Sequence, residues 1–211
     1  MKIGTIMTLS DNKKEFPDWD VYYKQNKVET MPWYEKNLDL DMVDEIRFLK
    51  KGIFLDLGTG PGTQAIELAK KGFKVTGSDV SPSAIEKAKV PTSNVNFVID
   101  NILNSKFESE SFDYILDRGC FHVLSSDERI TYLNQIKRIL KKNGIIFLKC
   151  MSKNEKNIPD DKGPHKFYKE EIINYFENDF DIKKSKDTVY YGTLNPLPKA
   201  LFFVMKKLVK L

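Results

Sequence analysis

The sequence predicts an α/β fold: a mostly parallel sheet wound with helices on both faces. Three observations carry this. Short runs that are apolar throughout alternate with amphipathic helical stretches, the pattern of strands covered on both sides. The first of these runs passes directly into a glycine-rich turn and then a helix. The last two strand-like runs follow one another with no helix between them, which predicts an antiparallel addition at the sheet edge.

Along the chain, residues 1–50 are polar and aromatic-rich and are expected to form an N-terminal lid and a helix on a single domain spanning 1–211. Asp39-Leu40-Asp41 opens that helix, in which Val43, Ile46 and Leu49, or Met42, Ile46 and Leu49, share a face, and Gly52 stops it. Ile53 to Leu57 is the first strand. Gln64 to Lys71 is a helix that Gly72 closes. Phe73 to Ser78 is a second strand, and Ser81-Pro82 starts a helix through Lys89, proline being suited to a first turn. Val95–Ile99, Phe112–Leu116 and Ile145–Cys150 are three further buried strands. Asp127 to Lys142 is the clearest helix, with Ser126 as its cap, a stripe of Ile130, Leu133, Ile136 and Leu140, and Asn143-Gly144 as its stop. Glu170–Phe176 is a last helix, and Asp181–Lys186 and Ala200–Met205 are the terminal strands around a loop bearing Pro196 and Pro198.

With 211 residues, 41% hydrophobic, 12% aromatic and 30% charged, the chain has a globular composition. A domain of this length buries about 70% of its unfolded surface and needs no disulfide or metal to hold its core. Two cysteines, Cys120 and Cys150, form neither a disulfide framework nor a zinc site. The net charge of +4 argues only weakly for nucleic acid; the basic excess after Cys120 reads as solvated faces. No run of about 18 apolar residues is present and the N-terminus lacks a signal pattern, so no membrane association and a cytoplasmic setting are expected.

The turn after the first strand is Asp56-Leu57-Gly58-Thr59-Gly60-Pro61-Gly62. Glycines there let a ligand approach the backbone. The spacing is G-x-G-x-G, with Thr63 at the sixth position, so the dinucleotide fingerprint G-x-G-x-x-G is not met. A Walker loop is excluded because no Gly-Lys-Ser/Thr follows. Acids end successive strands: Asp79 the second, Asp100 the third, Asp117 the fourth. Ligands of open α/β sheets bind at those ends.

Together these segments resemble, over about 100 residues, the class I S-adenosylmethionine-dependent methyltransferases. The resemblance implies a Rossmann-like, doubly wound, mostly parallel seven-stranded sheet with an antiparallel final strand. It implies S-adenosylmethionine as cofactor, with Asp56, Gly58, Gly60 and Gly62 around it. Asp79 would meet the ribose hydroxyls, Asp100, Asn101 and Ile102 the adenine, and Asp117 the neighbourhood of the reacting sulfur, with Val80 a further cofactor-binding residue. Asp117-Arg118-Gly119, and Trp19 to Tyr23 followed by Pro32-Trp33, resemble the branch of thiopurine, thiol, halide and tellurite-resistance enzymes. That narrower likeness implies a small-molecule acceptor and an aromatic lid of Trp19, Tyr23 and Trp33, whose ring faces suit a sulfonium cation.

The segment after the fourth strand lacks the Asn/Asp-Pro-Pro of amino-methylating enzymes, and Cys120 follows Gly119 rather than a proline. A protein or RNA acceptor, and a nicotinamide-dependent oxidoreductase, stand as alternatives. Arg118 is the expected catalytic residue for an anionic acceptor. His122 is the first candidate base where the acceptor arrives protonated, and His165 the second. No metal is expected, and the enzyme is expected to be a monomer or weak dimer.

Overall fold

The computed structural model describes residues 16–89 and 94–209, so residues 1–15 of the expected lid lie outside the described residues. In chain order the elements are α1 (Trp19–Gln25), α2 (Leu40–Glu45), β1 (Ile53–Leu57), α3 (Thr63–Lys70), β2 (Lys74–Asp79), α4 (Pro82–Ala88) and β3 (Val95–Ile99). They continue with β4 (Phe112–Arg118), α5 (Ser126–Ile139), β5 (Leu140–Ser152), β6 (Lys166–Phe167), α6 (Lys169–Phe176), β7 (Phe180–Val189) and β8 (Lys199–Lys207).

The strands form one sheet in the order β3-β2-β1-β4-β5-β8-β7, with the short β6 beside β5. Strands β3, β2, β1, β4 and β5 run parallel, and β8 is antiparallel to both its neighbours. The last two strands add antiparallel at the edge of the parallel set, as expected, and the final strand takes the inner place between β5 and β7. The side chains explain this: Ala200 to Met205 are buried without interruption, whereas Lys183, Lys184 and Lys186 keep β7 half wet. The apolar strand takes the doubly covered position and the lysine-bearing strand guards the edge.

The long helix is also shorter than its apolar stripe predicts. It ends at Ile139, and Leu140 leads straight into a strand of 13 residues. Leu140 is fully buried and pairs with Phe112, so sheet pairing overrides the helical period there. Its cap is Ser125, not Ser126: Ser125 Oγ accepts from the Glu128 amide while the Glu128 carboxylate accepts from the Ser125 amide.

Two apolar clusters fill the faces of the sheet. One gathers Phe121, Tyr132, Ile136, Phe176 and Phe203 against α5 and α6. The other gathers Met42, Phe54, Leu68, Phe73 and Phe147 against α2 and α3. No helix among the described residues is long and apolar enough to cross a membrane.

Candidate active site

A cavity of about 770 Å³ opens at the C-terminal ends of β1, β2 and β4, within the roughly 300–1,000 Å³ of ligand sites. Its floor is the glycine turn. Gly58, Gly60 and Gly62 all have positive φ, at 64°, 52° and 77°. Gly60 faces a second demand: a Cβ there would stand 2.5 Å from the Tyr23 hydroxyl oxygen. Gly58 lines the cavity; Gly60 and Gly62 shape the turn beneath it.

Asp56 does not reach the cavity. Its Oδ2 accepts from Thr59 Oγ1 at 2.5 Å and from the Ala65 amide at 3.1 Å, bracing the turn against the start of α3. Burial pushes its carboxyl up to about 7, against the lowering effect of those two donors. Asp117 is likewise turned inward, contrary to the expectation that it lies beside the cofactor. It is fully buried, and its two oxygens accept from the amides of Gly119, Cys120 and Phe121 and from the Tyr132 hydroxyl. Burial raises its carboxyl too. Its work is to fold the segment after β4, where Gly119 has φ 123°.

Asp79 and Asp100 do line the cavity. Asp79 accepts from the Gly60 amide at Oδ2 and the Ser81 amide at Oδ1, both at 2.9 Å, and burial raises its carboxyl. Asp100 Oδ1 accepts from the Lys106 amide, while its buried Oδ2 has no hydrogen-bond partner among the described residues; nor has Ser78 Oγ. An orphaned buried carboxylate oxygen costs stability unless a ligand supplies a donor. Val80, Asn101 and Ile102 stand beside it on the same wall, with Val80 half exposed.

The aromatic lid closes the opposite side. Trp19, Tyr22, Tyr23 and Trp33 form one cluster, with Tyr22 and Trp19 rings 5.5 and 6.0 Å from that of Trp33. Asp18 caps α1, and Asp20 Oδ1 accepts from Ser81 Oγ and the Ser83 amide, which docks α1 on the start of α4.

Arg118 faces the cavity but is held by protein groups. Its Nε donates to Asp39 Oδ2 at 2.7 Å, Nη1 to the Trp33 carbonyl at 2.9 Å, and Nη2 to the Tyr191 carbonyl. Asp39 and Asp41 also take the buried Lys149 ammonium, at 2.7–2.8 Å. Arg118 thus fastens the lid and the β7–β8 loop to β4. His122 lines the cavity as well, its Nδ1 accepting from the Met151 amide at 3.2 Å. His165 is buried behind it, donating its amide to the His122 carbonyl. Cys150 is fully buried and Cys120 half-buried on the cavity wall, both thiols raised by burial.

Tyr190, Met151, Ile158 and Leu194 complete the β5 side of the cavity, and sequence reading missed them. They come from two distant segments, residues 151–158 and 190–194, and carry no motif. Lys149 did leave a signal: it is the lone charge in the otherwise apolar run Ile145–Cys150. Among the described residues no group of three or more His, Cys, Asp or Glu is placed to hold a metal.

Residues 54–144 match a family described as a methyltransferase domain. The chain is 27% identical over 193 residues to human EEF1A lysine methyltransferase 2, covering 81% of this chain and 75% of that one. It is 34% identical over 107 residues to an uncharacterized methyltransferase of Schizosaccharomyces pombe, covering 49% of this chain and 74% of that protein. A solved structure concerned with conversion of a disulfide bond into a thioacetal group during echinomycin biosynthesis superposes with a TM-score of 0.78. That pair shares 21% identity over 90% of this chain and 91% of the other, a likeness of fold.

Proposed function

The chain belongs to the class I S-adenosylmethionine-dependent methyltransferases, and on that premise we propose that it methylates a small, soft nucleophile arriving already deprotonated. The observation that carries this is the makeup of the β5 side of the cavity. Tyr190, Met151, Ile158 and Leu194 give it an apolar wall, beside His122. Of the acids lining the cavity, Asp161 is exposed and the Glu128 carboxylate is engaged in the Ser125 cap. The Tyr190 hydroxyl donates to the Lys149 carbonyl, and burial holds it well above its ordinary pKa.

The residues present fit the cofactor. Asp100 Oδ2 is an acceptor in want of a donor and suits an adenine amino group. Val80 and Ile102 offer apolar surface to the ring, Asp79 a carboxylate to the ribose hydroxyls, and Gly58 an approachable backbone. When bound, S-adenosylmethionine supplies a methyl group on a sulfonium centre, which needs no further activation. The protein contributes alignment and exclusion of water, effects worth about 7–11 kcal/mol in well-oriented reactions. Trp19, Tyr23 and Trp33 serve both by closing over the cavity. Arg118 contributes by holding Trp33 and Tyr191 in place, and it is in this positioning role that we assign it.

A second reading is a lysine side chain of a protein, favoured by the likeness to EEF1A lysine methyltransferase 2 along most of the chain. Incubation with radiolabelled S-adenosylmethionine separates the two. Thiophenol, selenite, tellurite, iodide and phenol are offered in one set of reactions and elongation factor 1A in another. Label on one or more of the soft anions is the expected result; label confined to protein lysine would overturn the small-nucleophile reading.

A further inference from the structure

We propose that Lys149 is a positioning residue for methyl transfer: through Asp39 and Arg118 it holds the Trp33 end of the lid against the acceptor side of the cavity. The inference rests on the reading of the lid as the cover of the cavity, and not on the class of acceptor beneath it.

Lys149 is the one charge in the apolar run Ile145–Cys150, and it is 1% exposed. In the sheet it stands beside Arg118 on β4 and Phe202 on β8. Side chains paired across adjacent strands share a face, so two cations are set next to each other, which by itself destabilises a sheet. Asp39, the cap of α2, resolves the conflict. Its carboxylate accepts from Lys149 Nζ on both oxygens at 2.8 Å and from Arg118 Nε at 2.7 Å. Asp41 accepts from the same ammonium at 2.7 Å, and the Asp39 amide donates to the Gln64 side chain on α3. Asp39 is thereby fixed from three sides. Arg118, with its Nε committed to Asp39, turns its two terminal nitrogens to the Trp33 and Tyr191 carbonyls.

Lys149 also touches the acceptor side directly. Its carbonyl accepts from the Tyr190 hydroxyl at 2.7 Å, and its ammonium lies 4.6 Å from the centre of the Tyr191 ring. The next residues of that loop lie close on the lid. The Thr193 amide donates to the Pro32 carbonyl, and a Cβ on Gly192 would stand 2.2 Å from the same oxygen. The core of a strand does not require this charge, because buried ionic groups can be replaced by apolar side chains of similar volume at little or no cost in stability. What an apolar residue would not supply is a fixed direction for Asp39, and hence for Arg118.

The test uses the full chain and its two tryptophans, Trp19 and Trp33, both of which belong to the lid. Acrylamide quenching of their fluorescence therefore reads access to the lid. Saturating S-adenosylhomocysteine should protect them in the wild type. In Lys149→Met, well below the Tm of the variant, that protection should be lost. The double variant Lys149→Met, Asp41→Asn leaves Asp39 paired with Arg118 and no carboxylate short of a partner, and it should lose the protection too. A role confined to charge balance predicts that the double variant regains it; that result, or full protection in the single variant, overturns the proposal. Absence of protection in the wild type overturns the lid reading and the proposal with it. In a second arm thiophenolate is the acceptor, and turnover is taken at saturating concentrations per cofactor site counted by calorimetry. Misalignment should lower it about tenfold to a hundredfold in both variants; turnover equal to the wild type overturns the positioning role. Failure of the wild-type chain to methylate thiophenolate would count against the small-nucleophile reading alone, and the quenching arm then decides.

Discussion

Asp56 and Asp100 are both buried carboxylates at the ends of neighbouring structural features, yet their surroundings give them opposite tasks. Asp100 Oδ2 lacks a donor among the described residues, so a ligand that supplies one gains a charge-assisted hydrogen bond of about 1.5–3 kcal/mol. Asp100→Asn keeps the Oδ1 acceptor for the Lys106 amide but puts an N–H₂ where Oδ2 stood. Calorimetry should show S-adenosylhomocysteine binding to that variant weakened by about 1–3 kcal/mol, with little change in Tm. Asp56 has its donors inside the protein, and its carboxyl is pushed up to about 7 by burial. An acid raised in the folded state binds its proton more tightly there than in the unfolded chain, so it destabilises the fold when ionised. Its contribution is most favourable below the unfolded value near 3.8 and is lost as pH rises through about 7. Asp56→Asn should flatten the fall in stability between about pH 4 and pH 7 seen by denaturant titration; a slope identical to the wild type would contradict the assignment.

At the scale of elements, the lid depends on three anchors of different kinds. Asp20 ties α1 to α4, Arg118 ties the Trp33 carbonyl to β4, and the Thr193 amide donates to the Pro32 carbonyl from the β7–β8 loop. The Arg118 guanidinium also shares Asp39 with Lys149, so its removal leaves that carboxylate half compensated. Loss of one member of a buried ionic group is strongly destabilising, and with Lys149 remaining Arg118→Ala should cost about 2–4 kcal/mol. The same variant should loosen residues 19–34. Hydrogen exchange checks this: in the wild type, S-adenosylhomocysteine should slow exchange across that segment, and in the variant the slowing should be smaller.

At the scale of the whole molecule, the consequential feature is that β8 lies within the sheet. It pairs with β5 along Ile145–Met151 and with β7 along nearly its whole length. Removing residues 199–211 would expose both strands and the apolar face that Phe202, Phe203 and Met205 bury. Such a truncated chain should show no cooperative thermal transition by circular dichroism. By contrast, charge substitutions on the exposed side of β7, at Lys183, should shift Tm by no more than a few degrees, since exposed ion pairs contribute about 0–1 kcal/mol.

The sequence by itself determined the alternation of strands and helices, the parallel half of the sheet, the glycine turn, and the acids Asp79 and Asp100 on the cavity. All of these are written in short stretches of chain: apolar runs, caps and a turn whose φ values only glycine adopts readily. The tertiary structure alone decided which acids face inward. Asp56 pairs with Gly77 and Asp117 with Leu57, so neither stands level with Asp79, and donors on Ala65, Thr59 and Tyr132 hold them away from the cavity. It also decided the contact of His122 with the Met151 amide, the Arg118 clasp on Trp33 and Tyr191, and the burial of β8. Each of these joins residues about 30 to 85 positions apart, or reflects competition between strands for the interior, and no local pattern in a chain encodes which distant group will arrive.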